Sequence, residues 1–158
     1  MPGKVTESEY RALGELRHLI RRFVQEGDVT AKQAGLEPQQ YLLLLAIRGL
    51  PPGQAATIST LASRLSLRHH STVELIDRME AHGYVKRIRG REDRRQVLVS
   101  LQPHGARLLE QVVQQRMIEL RANGRALVAA ISELLEPRPR TFAGKNRRRR
   151  GRTVALTR

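Results

Sequence analysis

The sequence predicts an α+β, mainly helical fold, and three observations carry that prediction. Apolar residues recur at helical spacing over several long stretches near both ends and in the middle of the chain. One short stretch, from Tyr84 to Leu101, changes to the two-residue period of strands. Proline and glycine clusters at Gly49–Gly53 and at Pro137–Pro139 separate these stretches cleanly.

In chain order, residues 1–8 are polar and are expected to form a flexible N-terminus. An amphipathic helix over about 9–27 then carries Leu13, Leu16, Leu19, Ile20, Phe23 and Val24, and Gly27 with Asp28 is expected to end or interrupt it. Pro38 opens the next helix, QQYLLLLAIRGL, which is so apolar that burial on all sides is expected. After the Gly–Pro break, Thr57 is placed to cap a short helix whose Ile58, Leu61, Ala62 and Leu65 share one face. A tight link at Ser66 and Leu67 leads to a second helix, from about Arg68 to His82, with Val73, Ile76 and Met79 facing inward. Gly83 suits the left-handed position just past its end. Two strands follow, Tyr84 to Arg89 and Gln96 to Leu101, and the charged run GREDRR forms the hairpin tip between them. In the second strand Val97, Val99 and Leu101 share a face.

Pro103 begins a long helix carrying Leu108, Leu109, Val112, Val113, Met117 and Leu120. Asn123 and Gly124 are expected to interrupt it before a last helix with Leu127, Val128, Ile131, Leu134 and Leu135. These stripes are narrow, which suits helix-on-helix pairing. Residues 137–158 are a basic tail, expected to be disordered.

Helix, tight turn, helix and basic hairpin, over about 38–101, is the layout of a winged helix-turn-helix. Such a unit puts its second helix in the DNA major groove and its hairpin beside it. Arg68, His69, His70, Ser71 and Thr72 begin that helix, where base edges and phosphates are met. Arg91, Arg94 and Arg95 sit on the wing with Asp93, whose carboxylate can hold the Arg95 guanidinium while Arg95 enters the minor groove. Lys86, Arg87 and Arg89 are further candidates for backbone contact. The plain alternative is a solvated helix start and a solvated hairpin tip. Glu74 is expected to pair with Arg78 one turn on, or else to accept from cytosine.

The segments LASRLSL, STVELIDRMEAHGYVKR and DRRQVLVSLQPHG resemble the MarR family of bacterial and archaeal transcription regulators. The likeness covers roughly Tyr10 to Leu135, and its most specific part is the wing, with Asp93 and Arg95 in the family's Asp-x-Arg positions. The chain departs from the family at Gln102, where Thr is usual. Gln is the poorer cap for the helix that follows, and Pro103 compensates in part. The resemblance implies one domain over 9–136 and a homodimer made by terminal helices at about 9–27 and 103–136. It also implies binding of double-stranded DNA at a palindromic operator, repression as the sign of regulation, and a small aromatic or phenolic effector. Arg78 matches a position where the family's Arg supports DNA binding. The alternative for the terminal helices is packing on their own domain.

Composition narrows the remaining classes. A length of 158 residues with 40% hydrophobic residues suits a single domain with a real core. No apolar run approaches the ~20 residues of a membrane span. The polar N-terminus shows no signal-peptide core, so a cytoplasmic protein without membrane partners is expected. The absence of cysteine excludes disulfides and thiol-based redox sensing, unlike the peroxide-sensing branch of the resembled family. The net charge is +14, and residues 137–158 hold nine of the 29 basic residues and no acid. That tail is either solvated or a nonspecific phosphate-binding extension. It keeps open a second function class, a nonspecific nucleic-acid-binding or ribosome-associated basic protein. His70 and Glu74 share a metal-ligand spacing, but two ligands do not close a site. No nucleophile–base constellation or phosphate loop occurs, so neither an enzyme nor a bound cofactor is expected.

Overall fold

The computed structural model describes residues 4–90, 93 and 95–135. Helix α1 spans Glu7–Gln33, α2 Pro38–Arg48, α3 Ile58–Leu65 and α4 His69–Ala81. Strands β1, Val85–Arg89, and β2, Val97–Leu101, precede α5, Pro103–Leu135.

Helix α1 starts earlier and ends later than its apolar pattern suggests. Thr6 and Glu9 form a reciprocal capping box: the Thr6 hydroxyl accepts from the Glu9 backbone N–H at 3.3 Å, and the Thr6 N–H donates to the Glu9 carboxylate at 2.8 Å. Residues 7 and 8 are therefore helical rather than frayed. The helix also runs straight through Gly27 and Asp28. A glycine costs a helix only about 1 kcal/mol, and Gly27 is buried where a larger residue would meet the Arg116 guanidinium of α5. The actual stop is Gly35, at φ +84. Gly35 N–H donates to the Lys32 carbonyl at 3.0 Å and Leu36 N–H to the Ala31 carbonyl at 2.9 Å, a Schellman closure that also buries Leu36.

Helix α2 buries Leu43 and Leu44 completely but leaves Leu42 45% exposed, so it is covered on one side and not all round. Thr57 caps α3, its hydroxyl accepting from Thr60 N–H at 3.1 Å. The turn from α3 to α4 places Ser66 in the left-handed region at φ 53, with Leu67 N–H donating to the Ala62 carbonyl at 2.9 Å. Gly83, at φ +69, closes α4 by the same pair of bonds, to Glu80 and Met79.

The two strands are antiparallel, with Val85 opposite Leu101 and Arg89 opposite Val97. The sheet is tied to the lobe by Val99 N–H donating to the Ala56 carbonyl at 2.9 Å. Val99 is buried, whereas Val97 at the far end is 43% exposed, because the hairpin projects beyond the core there. Helix α5 leaves the sheet through a close approach: a side chain at Gly105 would sit 2.3 Å from the Tyr84 carbonyl oxygen. It starts at Pro103 although Gln102 provides no side-chain cap; the Ala106 N–H donates to the Gln102 carbonyl at 2.9 Å.

The predicted break at Asn123 and Gly124 is absent, and α5 is one helix of 33 residues. Neither residue blocks a helix sterically as proline would. The space that Gly124 leaves is taken by Leu120, whose Cδ1 lies 3.1 Å from where a Cβ would be. The core of the lobe joins Leu36, Leu43, Leu44, Leu61, Leu75, Ile76, Met79 and Val85, with Leu109 and Val112 of α5 closing it. Helix α1 packs chiefly on α5.

Candidate nucleic-acid interface

Helix α4 is held by one side. Thr72, Leu75, Ile76 and Met79 are buried, a ridge at three- and four-residue spacing. Arg68, the N-cap, and His69 and His70 in the first turn are exposed, and Ser71 is half-buried. Thr72 departs from the sequence expectation. It is fully buried and its hydroxyl donates to the Arg68 carbonyl at 3.1 Å. Its place is in the core, fastening the start of the helix. The period of α4 carries this signal, since Thr72 lies three and four residues from Leu75 and Ile76.

Further along α4, Glu74, Asp77 and Arg78 are exposed. No ion pair joins Glu74 to Arg78 among the described residues, contrary to the expected pairing. Arg87 of β1, expected at the DNA backbone, is engaged within the protein. Its Nη1 donates to Glu80 at 2.6 Å, its Nη2 to Asp77 at 2.7 Å, and its backbone N–H to Glu80 at 2.8 Å. The backbone hydrogen bond from Arg87 is the main cause that holds the Glu80 carboxyl below its ordinary value, with the side-chain bond adding to it. On Arg87 itself, desolvation works to lower the pKa, and the bonds from Asp77 and Glu80 outweigh it and raise it. This clamp fixes β1 to α4. Lys86 and Arg89, the neighbouring cations on β1, are exposed, and neither forms an ion pair among the described residues.

On the wing, Asp93 holds Arg95 differently from the expected side-chain pairing. The Asp93 carboxylate accepts from the Arg95 backbone N–H at 2.8 Å, and Gln96 N–H donates to the Asp93 carbonyl at 3.0 Å. Asp93 thus shapes the turn, an aspartate side chain binding the backbone two residues on, and leaves the Arg95 side chain exposed. Arg91 and Arg94 lie outside the described residues, as does the basic tail.

A second polar feature, missed in the sequence, lies between α1 and α5. Arg116 is 7% exposed. Its Nη2 donates to the Phe23 carbonyl at 2.7 Å, its Nη1 pairs with Glu119, and its Cζ lies 4.5 Å over the Phe23 ring. Burial pushes the nearby Tyr41 phenol up, with Arg116 opposing. A cavity of about 370 Å³ opens beside Arg116, lined by Leu19, Phe23, Leu120 and Leu127. Among the described residues, no third His, Asp or Glu joins His70 and Glu74 in a metal-binding group. No described helix is long and apolar enough to cross a membrane.

A short helix, a tight left-handed turn, a second helix anchored by one face and a clamped antiparallel hairpin define a winged helix-turn-helix, a DNA-binding class. Residues 34–96 match the profile of the MarR family. The chain is 32% identical to YsmB, an HTH-type transcriptional regulator of Bacillus subtilis (strain 168), over 106 residues, 67% of this chain and 70% of the relative. A MarR family protein from Bacillus stearothermophilus shares the fold with a TM-score of 0.65 at 23% identity, over 82% of this chain and 93% of that one. BpsR of Bordetella bronchiseptica, whose DNA binding is regulated by 6-hydroxynicotinic acid, shares it with a TM-score of 0.51 at 23% identity, over 75% and 97%. The chain belongs to the MarR family of transcription regulators: it is a DNA-binding protein and not an enzyme.

Proposed function

We propose that this regulator acts in the cytoplasm as a homodimer that occupies a palindromic operator and represses transcription by excluding polymerase. The observation that carries the reading is the apolar surface along the two long helices. Leu13, Ile20 and Val24 of α1 and Leu120, Val128 and Ile131 of α5 are each at least 38% exposed. A second copy would cover these stripes and set two α4 helices about one DNA turn apart. In that arrangement Arg68, His69, His70 and Ser71 enter the major groove, and Arg78 approaches phosphate. Arg95, with Arg91 and Arg94, reaches the adjacent minor groove, where negative potential attracts arginine. Asp93 serves by holding the turn.

The cavity beside Arg116 supports a further element of the reading, release by a small aromatic or phenolic acid. Arg116 is taken up by Glu119 and the Phe23 carbonyl, so Arg125, which also lines the cavity, is the cation for a carboxylate, and Phe23, Leu120 and Leu127 are the apolar walls. Such a ligand shifts the regulator only if it prefers the form that does not bind DNA.

Selection of bound duplexes from a random pool tests the operator reading. The expected result is an inverted repeat with half-site centres about 34–36 Å apart. Equal retention of all sequences would replace it with nonspecific nucleic-acid binding, the reading that the basic tail alone would suggest.

A further inference from the structure

At 3.6 residues per turn, the side of α4 opposite its buried ridge carries His70, Glu74, Asp77 and Ala81. All four are exposed. This is the side that a recognition helix turns to the base edges, and here it holds two carboxylates in a chain of net charge +14. Carboxylates brought between two phosphate backbones are repelled unless something local compensates them. Asp77 is compensated inside the protein, by the Arg87 Nη2 at 2.7 Å. Glu74 is not: among the described residues no hydrogen bond or ion pair reaches it, and Arg78 leaves it alone.

We infer that Glu74 is a specificity-determining residue that selects cytosine in each half-site, an inference that rests on the operator reading above. An ionised carboxylate only accepts hydrogen bonds. The donors exposed in the major groove are the cytosine N4 and adenine N6 amino groups. The adenine amino group lies between two acceptors, its own N7 and the thymine O4, which repel a carboxylate. The cytosine amino group has the guanine O6 on one side and only a C–H on the other. A carboxylate therefore discriminates for cytosine. His70, one turn earlier on the same strip, offers a ring N–H to the acceptors of the paired or neighbouring guanine. The same exposed acid weakens binding to duplexes that place no amino group before it, so it contributes to choice as much by repulsion as by attraction.

The test compares motifs selected from a random duplex pool by the wild-type chain, Glu74→Gln and Glu74→Ala. Glu74 is exposed, and circular dichroism checks that the variants keep the wild-type fold. With wild type, one cytosine position per half-site is expected, discriminated by roughly tenfold. Glu74→Gln should change that position to adenine, whose N6 and N7 match a carboxamide. Glu74→Ala should make it degenerate while every other position stays. A wild-type motif that survives unaltered in both variants overturns the inference and leaves the operator reading standing. So does a uniform gain in affinity for all duplexes, which would make Glu74 a mere repulsive charge. No motif from wild type itself would overturn both.

Discussion

In the lobe from Leu36 to Leu101, residues Leu43, Leu44, Leu61 and Ile76 have no solvent exposure at all. Along α1 and α5, Leu13 is 50% exposed and Val128 64%. Both regions are rich in apolar residues at helical spacing, so composition does not separate them. The lobe arranges five elements around one centre, and each side chain finds neighbours on several sides. The long helices join that core through Ala31 of α1 and Leu109 and Val112 of α5; beyond it they have each other, and a pair of helices covers one stripe of each. The winged lobe is therefore a finished body, while the long helices leave apolar stripes uncovered. The buried Arg116, bound to Glu119 and to the Phe23 carbonyl, sets where α1 lies on α5.

Charging the uncovered side of the long helices should have the largest effect. Val128→Asp with Ile131→Asp should give a monomer by light scattering, with the lobe still folded. Operator affinity should fall by about a hundredfold or more, because the second half-site is no longer tethered to the first. A variant that stays dimeric would place the interface elsewhere.

A smaller effect is expected inside the finished lobe. Thr72→Val keeps the shape of a buried side chain and removes the hydroxyl that donates to the Arg68 carbonyl. Urea unfolding should show a loss of about 0.5–1.5 kcal/mol. The preferred operator should not change; a changed preference would return Thr72 to the reading surface.

The smallest effect concerns the clamp between α4 and the wing. Glu80 has its carboxyl pKa lowered in the folded chain. Its contribution is therefore complete above the ordinary carboxylate range and is lost as pH falls through the lowered folded value. Glu80→Gln should cost up to about 1 kcal/mol at neutral pH, the scale of a partly exposed ion pair. In acid below that folded value, the variant and wild type should converge in stability. A gap independent of pH would show that the Glu80 charge contributes nothing.

What the sequence made legible follows the same division. The α3–turn–α4–hairpin order was readable because each part has a local signature: the Thr57 cap, Gly83, and the change of period into β2. Gly27 and Asn123–Gly124 look like breaks because glycine is a poor helix former, a cost small enough for packing to override. Gly27 sits where α1 packs on α5, and its long-range contact to Arg116 could not be seen from spacing, whereas Gly124 meets only Leu120 of its own helix. The true end of α1, at Gly35, and the capping box at Thr6 did have local signals. Of the site residues, Arg87 looked like its neighbours Lys86 and Arg89. Only the fold brings Asp77 and Glu80 to it. Thr72 was legible in principle, from the ridge it shares with Leu75, Ile76 and Met79. Asp93 was seen to belong with Arg95, and the atom it holds is the backbone N–H rather than the guanidinium.

In the proposed homodimer two finished lobes, joined by the unfinished helices, each read one half of an operator. Hydroxyl-radical footprinting on the selected operator tests it directly. A two-fold dimer should give two protected patches related by a two-fold axis, their centres about 10–10.5 base pairs apart, flanked by minor-groove protection from the wings. Protection of a single half-site, or even protection along the whole duplex, would contradict it.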